Sequence, residues 1–246
     1  MYELLKKKYG QNFLIDKNIL TKISSVIEKK YLKIIEIGPG DGRLTEYIKD
    51  YEPTELILIE VDKDLIELLK SKFINFENLK IIHIDVLKYD FVDKVDLIIS
   101  NLPYNISSQI LVKICLMKHL PTRLILMFQK EFAERLLDKK LNSLNSLVRC
   151  FYDISACFNV SKNCFRPIPT IESKVLLFKK KENLLLKRVE IENFITFKRK
   201  IFSHKRKTLN NVLKNYNFHK SLFNLNERVE SLDIQKLLKI FREINL

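Results

Sequence analysis

Tryptophan is absent from this 246-residue chain, and glycine occurs only four times, at Gly10, Gly38, Gly40 and Gly42. A chain so sparing of glycine places it where the backbone needs a conformation or a close approach that a Cβ would forbid. Long apolar runs are missing too. Stretches such as Leu56–Ile59 and Leu124–Phe128 fall far short of the roughly 20 residues that cross a bilayer as a helix. Lys6-Lys7-Lys8 is not followed by the apolar stretch of a secretory signal, so the chain is expected in the cytoplasm, with no membrane partner. The four cysteines, Cys115, Cys150, Cys157 and Cys164, form no CxxC pair, and no His stands at ligand spacing beside them. Reduced structural thiols are expected, and no metal.

Apolar residues make up 46% of the chain, enough for the core of one sizeable α/β domain with a small appendage. The net charge of +14 points to a polyanionic partner. A compositional drift toward Lys, Ile and Asn would raise the same charge without any partner. The excess is uneven: residues 181–246 hold 15 Lys+Arg against 7 Asp+Glu, a net +8, and residues 1–180 hold the remaining +6. Two domains are expected, 1–182 and 183–246. In the second, Ile191–Phe202, Thr208–Tyr216 and Ile234–Ile244 read as amphipathic helices and no strand is evident. Lys205-Arg206-Lys207 there are candidate phosphate contacts, against the plainer reading of a solvated face.

Between Lys33 and Phe128, short apolar runs alternate with helical periodicity. Strands are expected at Lys33–Ile37, Glu55–Glu60, Leu79–Ile84, Val95–Ser100 and Arg123–Phe128, and helices at Arg43–Asp50, Asp64–Phe73 and Ser107–His119. Nearly all-apolar strands separated by helices indicate a parallel sheet covered on both faces. Phe151–Val160 and Lys174–Lys179 add two edge strands joined by a long, proline-containing connection. The fold class is α/β: a Rossmann-like, seven-stranded, mostly parallel sheet with a small all-α C-terminal domain.

Three glycines sit in Ile37-Gly38-Pro39-Gly40-Asp41-Gly42, a strand running through a turn into a helix. Open α/β sheets bind nucleotide-like ligands at such a turn. The pattern is GxGxG, so the dinucleotide fingerprint is broken. Glu60 ends the next strand, where a carboxylate can accept ribose hydroxyls, and Asp85 follows the third, where it can meet an adenine amine or simply cap a turn. Glycine turn and two strand-end acids together are the layout of an S-adenosylmethionine site.

The strand ending at Ser100 delivers Asn101-Leu102-Pro103-Tyr104 to the same edge. The lone pair of an adenine N6 is conjugated into its ring, so the amine must be held and its electrons drawn back to nitrogen. Asn101 Oδ1 and the Leu102 carbonyl can accept its hydrogens. Pro103 restrains Leu102 to an extended shape, and Tyr104 offers a face for stacking. A lone NxPY is weak, and a strand end followed by a proline turn is its plain reading. Its position after the glycine turn and two acids is what makes it specific.

YGQNFLID (9–16), EIGPGDGRLT (36–45), LIEVDKDL (58–65), NLPYNIS (101–107), QKEFAERL (129–136) and FRPIPTIES (165–173) together resemble the ribosomal RNA adenine dimethyltransferases, and among them the bacterial small-subunit enzymes. The resemblance covers nearly the whole chain. It implies S-adenosylmethionine-dependent dimethylation of two adjacent adenines in the 3′-terminal hairpin loop of small-subunit rRNA, on an immature 30S subunit, by a monomer. It implies that Asn12, Leu14, Gly38, Gly40, Glu60, Asp85 and Asn101 touch the cofactor. It also implies that Tyr104 and Phe165 sandwich the flipped adenine; Phe165 alone would read as core, and its place before Pro167 and Pro169 suggests an exposed loop instead. An Erm-type large-subunit adenine methylase and a methyltransferase-derived RNA-binding assembly factor are the alternatives. The segment departs from the family at Thr170, where Lys is usual, and at Ile171, where Val is; the chain also lacks a glycine often found near Asn145.

Overall fold

The computed structural model describes residues 12–28, 31–216 and 218–244. Lys6-Lys7-Lys8, Tyr9 and Gly10 lie outside them. In chain order the elements are β1 (Phe13–Leu14), α1 (Lys17–Ser24), β2 (Lys33–Ile37), α2 (Arg43–Lys49), β3 (Glu55–Glu60), α3 (Lys63–Lys72), β4 (Leu79–His83), β5 (Leu97–Asn101), α4 (Ser107–Cys115), β6 (Arg123–Gln129) and α5 (Lys130–Leu137). They continue with α6 (Asn145–Val148), β7 (Tyr152–Val160), β8 (Phe165–Arg166), β9 (Ser173–Lys180), α7 (Ile191–Phe202), α8 (Leu209–Val212) and α9 (Ile234–Ile244).

Seven strands form one sheet in the order β4-β3-β2-β5-β6-β9-β7, as expected for the α/β class. The pairs β2–β3, β3–β4, β2–β5 and β5–β6 are parallel, and β9 runs antiparallel to β6. β2, β3, β5 and β6 are buried almost end to end, which is why they read as unbroken aliphatic runs and do not alternate. Their parallel order brings Ile37, Glu60 and Asn101 to one edge.

The chain divides into two compact units, Met1–Ala133 with Ile154–Lys180, and Glu134–Asp153 with Lys181–Leu246. The sequence reading draws one boundary near residue 182, beside the second crossing; it does not foresee the excursion through Glu134–Asp153. That excursion is closed by side chains that collect the last carbonyls of α5, which no helical N–H reaches. Asn145 Nδ2 donates to the carbonyls of Arg135, Asp138 and Lys140, and Arg149 donates to those of Leu136, Leu137 and Asp138. The core of the second unit is aromatic. Phe194, Phe197 and Phe241 pack together in tilted and edge-to-face pairs with ring centroids 5.2 to 6.3 Å apart.

The connection between β7 and β9 requires a correction. Phe165, expected on an exposed loop, is 0% exposed and belongs to the core of the first unit, with Leu14, Leu20 and Val175. The cause is a pairing that no local pattern reveals. β8 lies antiparallel to β1, with Leu14 opposite Phe165 and Phe13 opposite Arg166, and Ile15 N donates to Cys164 O at 2.8 Å. Packed this way, the ring offers no face to a base. Phe165→Ala should cost about 3–5 kcal/mol of stability, as large-to-small changes in a filled core do. Urea unfolding checks this, and an unshifted midpoint would place the ring outside the core.

Candidate functional site

β2 hands the chain to α2 through the glycine turn. Gly38 N donates to Ile59 O and Gly42 N to Pro39 O, both at 2.9 Å. Two of the glycines have no substitute. A Cβ on Gly40 (φ +59°) would stand 2.8 Å from the Phe13 ring, and one on Gly42 (φ +76°) would stand 2.7 Å from the Phe73 ring. Both residues occupy the left-handed region as well. Phe13 of β1 therefore lies against the turn at Gly40, and α3 lies against it at Gly42.

Carboxylates gather around the turn. Glu60 Oε1 accepts from Val61 N at 2.8 Å and Asp62 N at 2.9 Å. Its Oε2 has only a long contact, 3.4 Å from Gly40 N, and keeps capacity for a ligand hydroxyl. Burial raises the Glu60 pKa, and the three backbone N–H groups oppose the rise. Asp85 caps its own turn, Oδ1 accepting from Leu87 N at 2.9 Å, and also lines the pocket. Glu36 is a further acid at this turn that the motifs do not mark. It is 2% exposed, accepts from Thr45 Oγ1 at 2.6 Å, and is pushed up from the ordinary 4.5 to about 8, chiefly by burial and further by the charge of Glu60. Its signal was available: it is the single polar residue within the aliphatic interior of β2, two places before Gly38. Asp41 and Arg43 also line the pocket and pair with each other at 2.7 Å.

The tetrapeptide begins inside β5, since Asn101 is its last residue. Asn101 Nδ2 donates to Asn12 O at 3.0 Å, which fixes the amide and leaves Oδ1 as its acceptor. The Leu102 side chain is buried, and a Cβ on Gly38 would meet Pro103 Cδ at 3.9 Å, an ordinary contact. Tyr104 is half-buried, and burial raises its pKa.

Asn12, Leu14, Gly38, Gly40, Glu60, Asp85 and Asn101 through Tyr104 thus line one pocket, although they come from five separate stretches of chain. Phe165 is not among the lining residues. Lys205, Arg206 and Lys207 are exposed in the second unit, just after α7. Backbone bonds hold that turn: Glu230 N donates to Lys205 O at 3.0 Å and Val229 N to Lys207 O at 3.1 Å. No cluster of three or more His, Cys, Asp and Glu with metal-ligand geometry occurs among the described residues, and no helix among them is long and apolar enough to cross a membrane.

The pocket fits S-adenosylmethionine. Glycine backbone forms one wall, apolar side chains such as Leu44, Leu65 and Val86 form others, and the polar lining includes the carboxyl groups of Glu60 and Asp85 and the amide of Asn101. Acceptors at the strand ends suit a ligand that carries sugar hydroxyls and an exocyclic amine.

The profile of a family described as "Ribosomal RNA adenine dimethylase" matches residues 3–246. The chain is 38% identical to the "Ribosomal RNA small subunit methyltransferase A" of Mycoplasma capricolum subsp. capricolum, covering 97% of each protein. Among solved structures it resembles a dimethyladenosine transferase from Plasmodium falciparum, with a TM-score of 0.84 and 28% identity, over 95% of this chain and 97% of that one. The 23S rRNA methyltransferase ErmE shares the fold, with a TM-score of 0.75 and 19% identity, over 95% of this chain and 100% of that one.

The buried Glu36 carries a pH signature. Its pKa of about 8 in the folded chain exceeds the ordinary 4.5, so its contribution to stability is full below pH 4.5 and disappears as the pH rises through 8. Glu36→Gln, which stays neutral and can still accept from Thr45, should raise the melting temperature relative to wild type clearly near pH 9 and hardly at all near pH 5. Thermal unfolding at the two pH values checks this, and an equal difference at both would contradict the buried, protonated carboxyl.

Proposed function

Because the chain belongs to the ribosomal RNA adenine dimethylase family, we propose that it dimethylates N6 of two adjacent adenines in the 3′-terminal hairpin loop of small-subunit rRNA, with S-adenosylmethionine as methyl donor. The observation that carries this is the junction of Asn101-Leu102-Pro103-Tyr104 with the glycine turn, Glu60 and Asp85 around one pocket.

Glu60 would hold the ribose hydroxyls of the cofactor, Asp85 its adenine amine, and Gly38, Gly40, Asn12 and Leu14 its remaining surface. When bound, the cofactor supplies an electrophilic methyl group on a sulfonium. The chain's own residues have to present the amine. The target base leaves its stack to enter the pocket and lies on the Tyr104 ring. Asn101, locked by its bond to Asn12, accepts one N6 hydrogen through Oδ1, and the Leu102 carbonyl accepts the other. Both acceptors draw electron density back to N6. As the N6–C bond formed and the methyl–sulfur bond of the sulfonium broke, positive charge would develop on N6, where the same two oxygens and the π-face would stabilise it, and the N6 proton would then pass to water. A displacement at a sulfonium needs alignment more than a strong base, which agrees with the lack of a dedicated base in the proposed set. Residues 1–182 would form the catalytic domain. Residues 183–246 would hold the RNA of an immature 30S particle, with Lys205, Arg206 and Lys207 on phosphates. The enzyme would act as a monomer in the cytoplasm.

Mapping N6-dimethyladenine in cells that lack the protein tests the reading. Wild-type chain should restore the two small-subunit modifications, and Asn101→Ala should fail to, its kcat reduced on the order of 10²–10³-fold as when a fixed polar group is removed from a reacting centre. Restored marks on large-subunit RNA would refute the substrate, and near-normal turnover by the variant would refute the role of Asn101. Replacing Lys205, Arg206 and Lys207 by Glu should weaken RNA binding and shallow the slope of log K against log salt by about 0.7–0.9 for every phosphate no longer neutralised. A slope unchanged in a salt titration would mean that the RNA backbone lies elsewhere.

A further inference from the structure

Tyr104 is fastened at both ends. Its carbonyl accepts from Ser107 Oγ at 2.7 Å, and its phenolic oxygen shares a hydrogen bond with Ser173 Oγ, also at 2.7 Å. Both serines are buried, Ser173 completely. Ser173 is held by the sheet itself. It opens β9 and stands opposite Gln129 of β6. Its neighbour Glu172 is tied twice to Lys130, by Lys130 N donating to Glu172 O at 2.9 Å and by an ion pair at 2.8 Å. Tyr104 has no strand partner of its own, because it follows Pro103 in a turn. Without Ser173 its half-buried hydroxyl would go unpaired, and turning the ring toward water would relieve that cost.

We propose that Ser173 is a positioning residue that holds the Tyr104 side chain by its hydroxyl, keeps the ring from swinging toward water, and thereby sets where the target adenine stacks. The inference rests on the reading of Tyr104 as a stacking surface. A base lying on an aromatic ring takes its plane from that ring. N6 is an edge substituent, so a tilt of the ring moves it away from Asn101 and out of line with the methyl donor. Alignment of this kind is what a displacement reaction depends on most. The same strip of chain that ends at Ser173 begins at Phe165, whose strand β8 is paired with β1. The ring orientation is therefore anchored to the segment that covers the glycine turn. Phe165 is the buried root of this strip.

The test is a double-mutant cycle on the full chain, with undermethylated small-subunit particles as substrate. Ser173→Ala and Tyr104→Phe should each lower kcat about tenfold while S-adenosylmethionine affinity, measured by calorimetry, stays at the wild-type value; tenfold corresponds to about 1.4 kcal/mol. The double variant should be no worse than the slower single, because both substitutions delete one hydrogen bond. Unchanged kcat in Ser173→Ala, or multiplicative losses in the double, would overturn the proposal. Tyr104→Phe removes the bond from its other end and keeps the ring, so it decides the question if Ser173→Ala does not fold; a wild-type rate there would equally overturn it. Tyr104→Ala separates the two levels: a wild-type rate would refute the stacking role beneath the proposal, whereas an inactive Tyr104→Ala beside a fully active Ser173→Ala would refute the positioning role alone.

Discussion

The covering strand β1 can lie on the glycine turn because Gly40 has no side chain. A Cβ there would stand 2.8 Å from the Phe13 ring, a separation that only movement of one partner could relieve. From this close approach the rest of the site follows in order. Phe13 and Leu14 pair with Arg166 and Phe165, the Phe165 ring fills the core beneath, and the strip continues to Ser173 and the hydroxyl of Tyr104. On the other side, Asn12 accepts from Asn101 and orients its amide. One missing methyl group thus permits a connected path from the glycine turn to Asn101 and Tyr104.

The charges in the pocket obey a different constraint. Burying a carboxylate is unfavourable unless polar hydrogens replace its water. Glu60 has three backbone N–H groups for this and resides in the wall as an acceptor. Glu36 has one hydroxyl, from Thr45, and burial wins, so it keeps its proton at neutral pH. Two acids around one turn therefore differ in support: Glu60 meets three backbone N–H groups that oppose the upward pull of burial, and Glu36 meets one hydroxyl. The difference comes from the count of donors that the backbone supplies, and neither the residue type nor its neighbours in sequence encodes it.

Much of the frame was legible because its signals are local. Glu55–Glu60 and Ile191–Phe202 match their expected bounds, since an aliphatic run of strand length and a 3.6-residue stripe each report burial directly. The strand ending in the tetrapeptide differs slightly: β5 includes Asn101, because pairing with Met127 of β6 continues through it. α1, capped by Asp16 accepting from Ile19 N at 3.0 Å, has too short an apolar face to announce itself in the sequence. Phe165 was misjudged for a definite reason. Two prolines after it suggested a solvent loop, and a two-residue strand paired across the chain gives no periodicity to read.

The sequence by itself determined the order of the parallel strands' elements, the position of the glycine turn, the strand-end acids and the tetrapeptide, because in a parallel α/β sheet the ends of successive strands meet at one edge whatever the packing details. Tertiary structure alone decided which of these groups is buried, protonated or aimed. The burial of Phe165, the protonated state of Glu36, the closure of α5 by Asn145 and Arg149, and the grip of Ser173 on Tyr104 all depend on contacts between distant residues. Their energies lie in desolvation and hydrogen-bond geometry, which exist only once the chain has folded.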